Sequence, residues 1–213
     1  MIFQQPINYT LVTGASVLPL DLQSVKDYLK VPSSLSVDNN LITAMIKSVA
    51  AYFEKATGRD LINKTYKTYL DNFPSHNSLD YYSGVSPLLP KYNDNGIILR
   101  RSKLQSITHI KYYIDGVLTT WSSADYYFTD LPDYSAIYLV DNKSFPEVDV
   151  RKQAVVITFV AGYGTYSCDV PIDIQNALLQ MISYLYENRG DCANMTDMMA
   201  SMQLFDQYKI VDF

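Results

Sequence analysis

The feature that most constrains this chain is a change of hydrophobic period that occurs twice. The run 38–58, DNNLITAMIKSVAAYFEKATG, sets Leu41, Ile42, Met45, Ile46, Val49, Ala50, Phe53 and Ala56 at helical spacing, with Gly58 placed for a left-handed stop. A second such face begins after Pro171, a residue tolerated in a first helical turn. Over 171–189, Ile174, Ala177, Leu178, Met181, Ile182 and Leu185 share it. Between the two, short runs rich in Ile, Val, Tyr and Thr read as strands at 61–70, 97–101, 106–114, 117–121, 126–129, 135–140 and 153–161. Amphipathic helices so far apart in sequence must bury their faces together, with the strands between them as an insertion. The predicted class is α+β, in one domain over 1–213. A small helical core comes from both ends of the chain (18–60 and 169–190), around an inserted antiparallel β region (61–168) and ahead of an extended C-terminal arm (191–213).

Smaller signals fill in this outline. Residues 19–30, PLDLQSVKDYLK, read as a short helix with Asp21 as N-cap and Leu22, Val25, Tyr28 and Leu29 on one stripe. Asp115-Gly116 between two strand runs marks a tight hairpin. The run 154–160 is apolar without alternation, as for a strand buried on both faces. Residues 74–95, PSHNSLDYYSGVSPLLPKYNDN, make a loop longer than ordinary connections. The end of the chain, LFDQYKIVDF, is apolar and aromatic, which calls for cover by the parent domain or by a partner.

Composition removes several function classes. Net charge is −5, and the one tight basic cluster in the sequence is Arg100, Arg101 and Lys103. Against it, 125–149 holds Asp125, Asp130, Asp133, Asp141, Glu147 and Asp149 with only Lys143. Tight sequence-reading of DNA, which needs a concentrated cationic face, is not expected; a wall past which DNA slides is compatible with these charges. The first residues, MIFQQPINYTLVTGAS, lack the basic and apolar regions of a secretion signal, and no apolar run reaches the roughly 20 residues that span a bilayer. Cys168 and Cys192 flank the 171–189 helix, which at 1.5 Å per residue would be about 28 Å long, so two free thiols suited to a reducing cytosol are expected. The 19 tyrosines suit either interfaces or half-buried strand faces.

Each chemical motif fails on inspection. AVVITFVAGYGTYSCDVP at 154–171 has the strand, Gly-x-Gly turn and helix start of a phosphate loop. It lacks the Lys that would reach a phosphate, and Asp169 and Asp173 would repel one. LVTGAS at 11–16 matches the opening of short-chain dehydrogenases, but neither the Gly-x-Gly continuation nor a Tyr-x-x-x-Lys pair follows in context. His76, His109 and the two distant cysteines build no local tetrahedral metal site, and YNDNG at 92–96 lacks the spaced acids of a calcium loop. His109 alternates within a strand run and reads as a strand residue. No Gly-x-Ser-x-Gly elbow is present, and no catalytic residue is assigned.

The order of elements says more than any one motif. PLDLQSVKDYLKV, then DNNLITAMIKSVAAYFEKATGRDLINKTY, LRRSKLQSITHIKYY, ADYYF and VVITFVAGYG with VPIDIQNALLQMISYLYENRGD resembles the head–tail connector proteins of tailed bacteriophages, also called adaptor or head-completion proteins. The resemblance covers about 19–190 and rests on Pro19–Leu29, Thr57–Leu61, Leu104–Ile107, Phe159–Gly164, Val170-Pro171 and Tyr186–Arg189. It implies that Gly58, Arg59, Gly162, Gly164, Pro171, Tyr186 and Arg189 are structural positions. It further implies a non-enzymatic virion protein, assembled in the host cytoplasm and sited in the neck. Such proteins form a ring, usually dodecameric, beneath the portal, extend the channel through which DNA passes as cargo, and offer a platform to stopper or tail-side neck proteins. By the same analogy the arm, through Leu204, Phe205, Tyr208, Ile210 and Phe213, docks on the portal protein. No cofactor and no membrane contact are implied. The residues leave a second reading open, a virion-associated protein- or glycan-binding module that uses the Tyr-rich loop 74–95.

Overall fold

In the computed structural model, residues 8–74, 96–101, 103–131, 134–189 and 203–210 are described. The described residues form three α-helices, α1 (Leu22–Tyr28), α2 (Asn39–Thr57) and α3 (Ile172–Glu187), and eight strands, one ahead of α1 and seven between α2 and α3. These are β1 (Tyr9–Thr13), β2 (Lys64–Leu70), β3 (Ile97–Leu99), β4 (Leu104–Ile114), β5 (Val117–Thr120), β6 (Tyr126–Asp130), β7 (Ser135–Leu139) and β8 (Val155–Ala161). The class is α+β. The strands form a five-stranded sheet, β1-β2-β8-β4-β5, and a three-stranded sheet, β3-β7-β6, with every pairing antiparallel.

The helical periodicities become one apolar cluster. Ile42, Ile46, Val49 and Phe53 of α2 meet Ile174, Leu178, Met181 and Ile182 of α3, with Val25 of α1 and Leu61 and Ile62 beneath. Each such side chain, fully buried, contributes about 1.5–3 kcal/mol before entropy is charged against it. The Asp21 carboxylate accepts from the Ser24 N–H at 3.0 Å and caps α1 as expected. Gly58 stops α2 at φ 76°, the left-handed geometry that favours glycine.

A second apolar cluster lies between the two sheets. Tyr66, Ile110, Ile157 and Phe159 from the larger sheet face Leu99, Ile137, Trp121 and Tyr126. β8 runs through the middle of the larger sheet between β2 and β4, and its Val155, Ile157, Phe159 and Ala161 turn one fully buried face to the core. The β4–β5 hairpin turns at Asp115 (φ 52°) and Gly116 (φ 76°), and the Asp149 carboxylate accepts from both turn N–H groups at 2.9 Å.

One strand escapes the sequence pattern. β1 holds the LVT of LVTGAS, and its Leu11 and Val12 are both exposed. Only Tyr9 of this edge strand packs against the core, so its sequence carries no period to read. Most of the 74–95 loop, along with His76, Cys192 and Phe213, lies outside the described residues.

Candidate functional site

The Thr-Gly-Arg motif lies where the C-terminal arm rests against the helical core. At the end of α2, the Thr57 hydroxyl donates to the Phe53 carbonyl at 2.8 Å and accepts from the Arg59 N–H at 3.2 Å. This fixes the Thr-Gly-Arg turn. The arm then docks on it: the Ile210 N–H donates to the Thr57 carbonyl at 2.9 Å, and Arg59 Nε donates to the Tyr208 carbonyl at 2.6 Å. A Cβ at position 58 would stand 3.3 Å from Ile210 Cδ1, so glycine serves here twice, for its φ and for the close approach of the arm.

Side chains complete the clamp. Phe205 is 1% exposed and meets Phe53 edge-on at a centroid distance of 5.0 Å. Tyr208 lies 5.9 Å from Phe53, and its hydroxyl donates to Asp173 Oδ2, in the first turn of α3, at 2.6 Å. Burial first, and then this bond, push the Tyr208 phenol above its ordinary range. The same bond is the main cause that holds the Asp173 carboxyl below the usual range. Tyr163, the tyrosine of AGYG, is partly buried against the helical core, its pKa raised by burial and pulled back by Arg59.

Of the five arm residues singled out by analogy, Phe205 is thus part of the chain's own core, and Leu204 and Tyr208 pack against that core. Ile210 closes over Gly58. Over its described residues, 203–210, the arm is in contact with the chain's own core. At the other end of α3, the Tyr186 hydroxyl donates to Asp38 Oδ2 at 2.6 Å while the Arg189 guanidinium lies 4.1 Å over the Tyr186 ring. Those two motif residues pin the start of α2.

The glycine turn is filled by the chain itself. Gly162 has φ 146°, and a Cβ there would lie 2.6 Å from the Asn63 nitrogen. One on Gly164 would collide with the Asp169 side chain at 2.2 Å. The Gly162 N–H donates to the Lys103 carbonyl, and the Gly164 carbonyl accepts from Asn63. Asp169 accepts from the Tyr166 N–H. The space and the amides that a phosphate would need are taken, so AGYG joins the β region to the helical core and is not a cradle. Pro171 stands at the N-cap of α3, one position ahead of the first helical turn in which its sequence context placed it.

A second group was not visible in the sequence. Asp60, next to Arg59 and fully buried, accepts from the Tyr66 hydroxyl at 2.7 Å and pairs with Arg101 and Lys64 at 3.3 Å each. Lys64 also bonds Glu54, and the Arg101 guanidinium lies 4.8 Å over the Tyr66 ring. The one available signal was a charged Arg-Asp pair set between a helix stop and apolar Leu61-Ile62. A charge in such a context is buried and must be partnered. This network ties α2, the larger sheet and the segment before β4 together.

An acid-titration test isolates the arm contact. Because Asp173 is depressed in the folded state, its stabilisation is present above the ordinary carboxylate pKa and is lost as pH falls through the lower folded value. In Tyr208→Phe, the Asp173 titration seen by NMR should move up toward about 3.9, and this loss of stability on acidification should shrink. An unmoved Asp173 curve would show that the bond does not form in solution.

Among the described residues no group of three His, Cys, Asp or Glu could hold a metal ion, and no helix is long and apolar enough to cross a membrane. No protein-family model and no curated protein matches the sequence. Solved structures do match it. The chain shares its fold with a chain in the neck of an empty gene transfer agent particle computed with C6 symmetry (TM-score 0.70, 17% identity, 97% of each chain covered). It likewise matches a chain in the virion of a native gene transfer agent particle (TM-score 0.71, 17% identity, 96% of each chain). A third match is in the neck of a native particle computed with C12 symmetry (TM-score 0.64, 17% identity, 97% of this chain and 96% of that one).

Proposed function

We propose that this chain is a structural, non-enzymatic subunit of a virion neck. The observation that carries the reading is the fold shared over nearly the whole of both chains with proteins of phage-like necks, helical core and β region alike. The C6 and C12 symmetries of those necks support a ring of this chain, of twelve copies in the finer reading. Heterologous contacts close into such a ring when the rotation between neighbours permits. In that reading the ring sits beneath the portal as a connector, extends the DNA channel and completes the head. It then offers a platform to stopper or tail-side neck proteins.

The arm residues Leu204, Phe205, Tyr208, Ile210 and Phe213 are the proposed portal contact. In the isolated chain the first four already lie against the helical core and the Thr57–Arg59 turn. Docking on a portal therefore exchanges one set of apolar contacts for another, and the net gain is smaller than the portal contacts alone would give. Negative-stain imaging of the purified protein with and without its portal tests the reading. A ring stacked on the portal is expected; a chain that stays monomeric and never decorates the portal would overturn it.

A further inference from the structure

The larger sheet has a second face, turned away from the core. Tyr66, Ile157 and Ile110 point into the core, so Lys67, Thr158 and His109, their neighbours along three adjacent strands, lie in one row on the opposite face. Thr10 extends that row on β1. The next row is Tyr69, Val156, Lys111 and Thr120. Beyond it, the Arg151 guanidinium lies 3.9 Å over the ring of Tyr113. The apolar faces of the three helices are spent on one another.

In a chain with 22 acids, the five strands of this sheet contain no Asp or Glu. Asp71 and Asp149, near the far end, are engaged with Lys152 and with the hairpin turn. The described residues give Lys67 and Lys111 no carboxylate partner. His109 is held below its ordinary pKa by burial and then by Lys111 and Lys67, the two lysines that stand beside it on this face. Thr158, between Lys67 and His109, is 4% exposed, and its hydroxyl finds no partner among the described residues.

We propose that this open sheet face is a contact surface for the phosphate backbone of double-stranded DNA. Charge complementarity points to a polyanion. The donor set, Lys, Arg, Thr and Tyr on a flat face, is the one that contacts phosphate without reading bases. The rows carry Tyr69 and Tyr113 beside the cations and no carboxylate, so charge rather than apolar area decides for a polyanion. The choice of DNA rests on the neck reading above. Few charges and no base readout suit a strand that must be held loosely.

The test uses the full chain and a fluorescent random-sequence DNA duplex across a salt series. With Lys67, Lys111 and Arg151 engaged, log affinity should fall against log salt with a slope of about −3. Lys67→Glu with Lys111→Glu should weaken binding at least about tenfold, whereas Lys47→Glu with Lys55→Glu, an equal change of net charge on α2, should not. Should the reversals disturb the sheet, Lys67→Gln with Lys111→Gln should flatten the slope by about 2. Equal effects from both pairs of sites, or no binding by the unaltered chain, would overturn the proposal. So would sheet variants that lose self-association while keeping DNA affinity, since the face would then meet protein. Portal imaging on the same variants separates the two readings: DNA contact without a stacked ring sinks the neck, and a stacked ring without DNA contact sinks this surface.

Discussion

Replacing Gly162 by valine should abolish a stable fold, seen as loss of soluble protein or of a cooperative thermal transition. Its φ of 146° is a region where residues other than glycine carry about 1–3 kcal/mol of strain. The larger cost is steric. A Cβ would meet the Asn63 nitrogen at 2.6 Å and the Ile62 carbonyl carbon at 2.7 Å, which are backbone atoms and cannot rotate aside. Relief would require the connection between β8 and α3 to lift away from residues 62–63. That movement would break the Gly162 to Lys103 and Asn63 to Gly164 bonds and open the seam between the two apolar clusters. A total near 5 kcal/mol is comparable to the whole stability of many domains. Gly14, with nothing within 4 Å of a built Cβ, is the control, and Gly14→Ala should leave the transition in place. A Gly162→Val protein that melts like the parent would refute the geometry of this joint.

Asp60→Ala should lower the melting temperature by about 10 °C. Removing one partner from a buried ionic group typically costs about 3–5 kcal/mol, because the charges left behind have lost both water and counter-ion. For a chain of this size each kcal/mol is worth about 2–4 °C. Here the groups left without Asp60 are Arg101 and the Tyr66 hydroxyl, while Lys64 keeps Glu54. A spectroscopic readout separates this from a generic core defect. The Tyr66 phenol is raised first by burial and then by Asp60, so in the variant it should ionise at lower pH than in the parent. Tyr9, pushed up to about 12 chiefly by burial, should be nearly unaffected. A melting temperature within 2 °C of the parent would show that the network contributes little.

What the sequence disclosed, and what it hid, divides by range. Helical faces, the Asp21 cap, the Gly58 stop and the Asp115-Gly116 turn are local signals, and the structure carries each of them. The strands of the β region were legible for the same reason, whereas β1 was not, since Tyr9 is its one contact with the core and a single residue imposes no alternation. Charge was the least legible. Arg101 and Lys103, the cluster most prominent in the sequence, are spent on Asp60 and Asp130. The uncompensated cations stand where three strands from distant segments come into register. The arm's residues were legible as apolar; their receptor was not, because Arg59 and Tyr208 lie 149 residues apart.

A core assembled from both ends also sets the order in which the molecule can form. Helix α2 leaves the ribosome more than a hundred residues before α3, and Phe205, which lies edge-on to its Phe53, comes later still. Until then the apolar stripe of α2 has no lasting partner. The strands of the β region are complete first, and closing so long a loop is the slow step that topology imposes on non-local contacts. The nascent chain therefore carries an uncovered helix while the whole β region is made and acquires its helical core only late. During that interval it is open to chaperones and to premature association with its own copies.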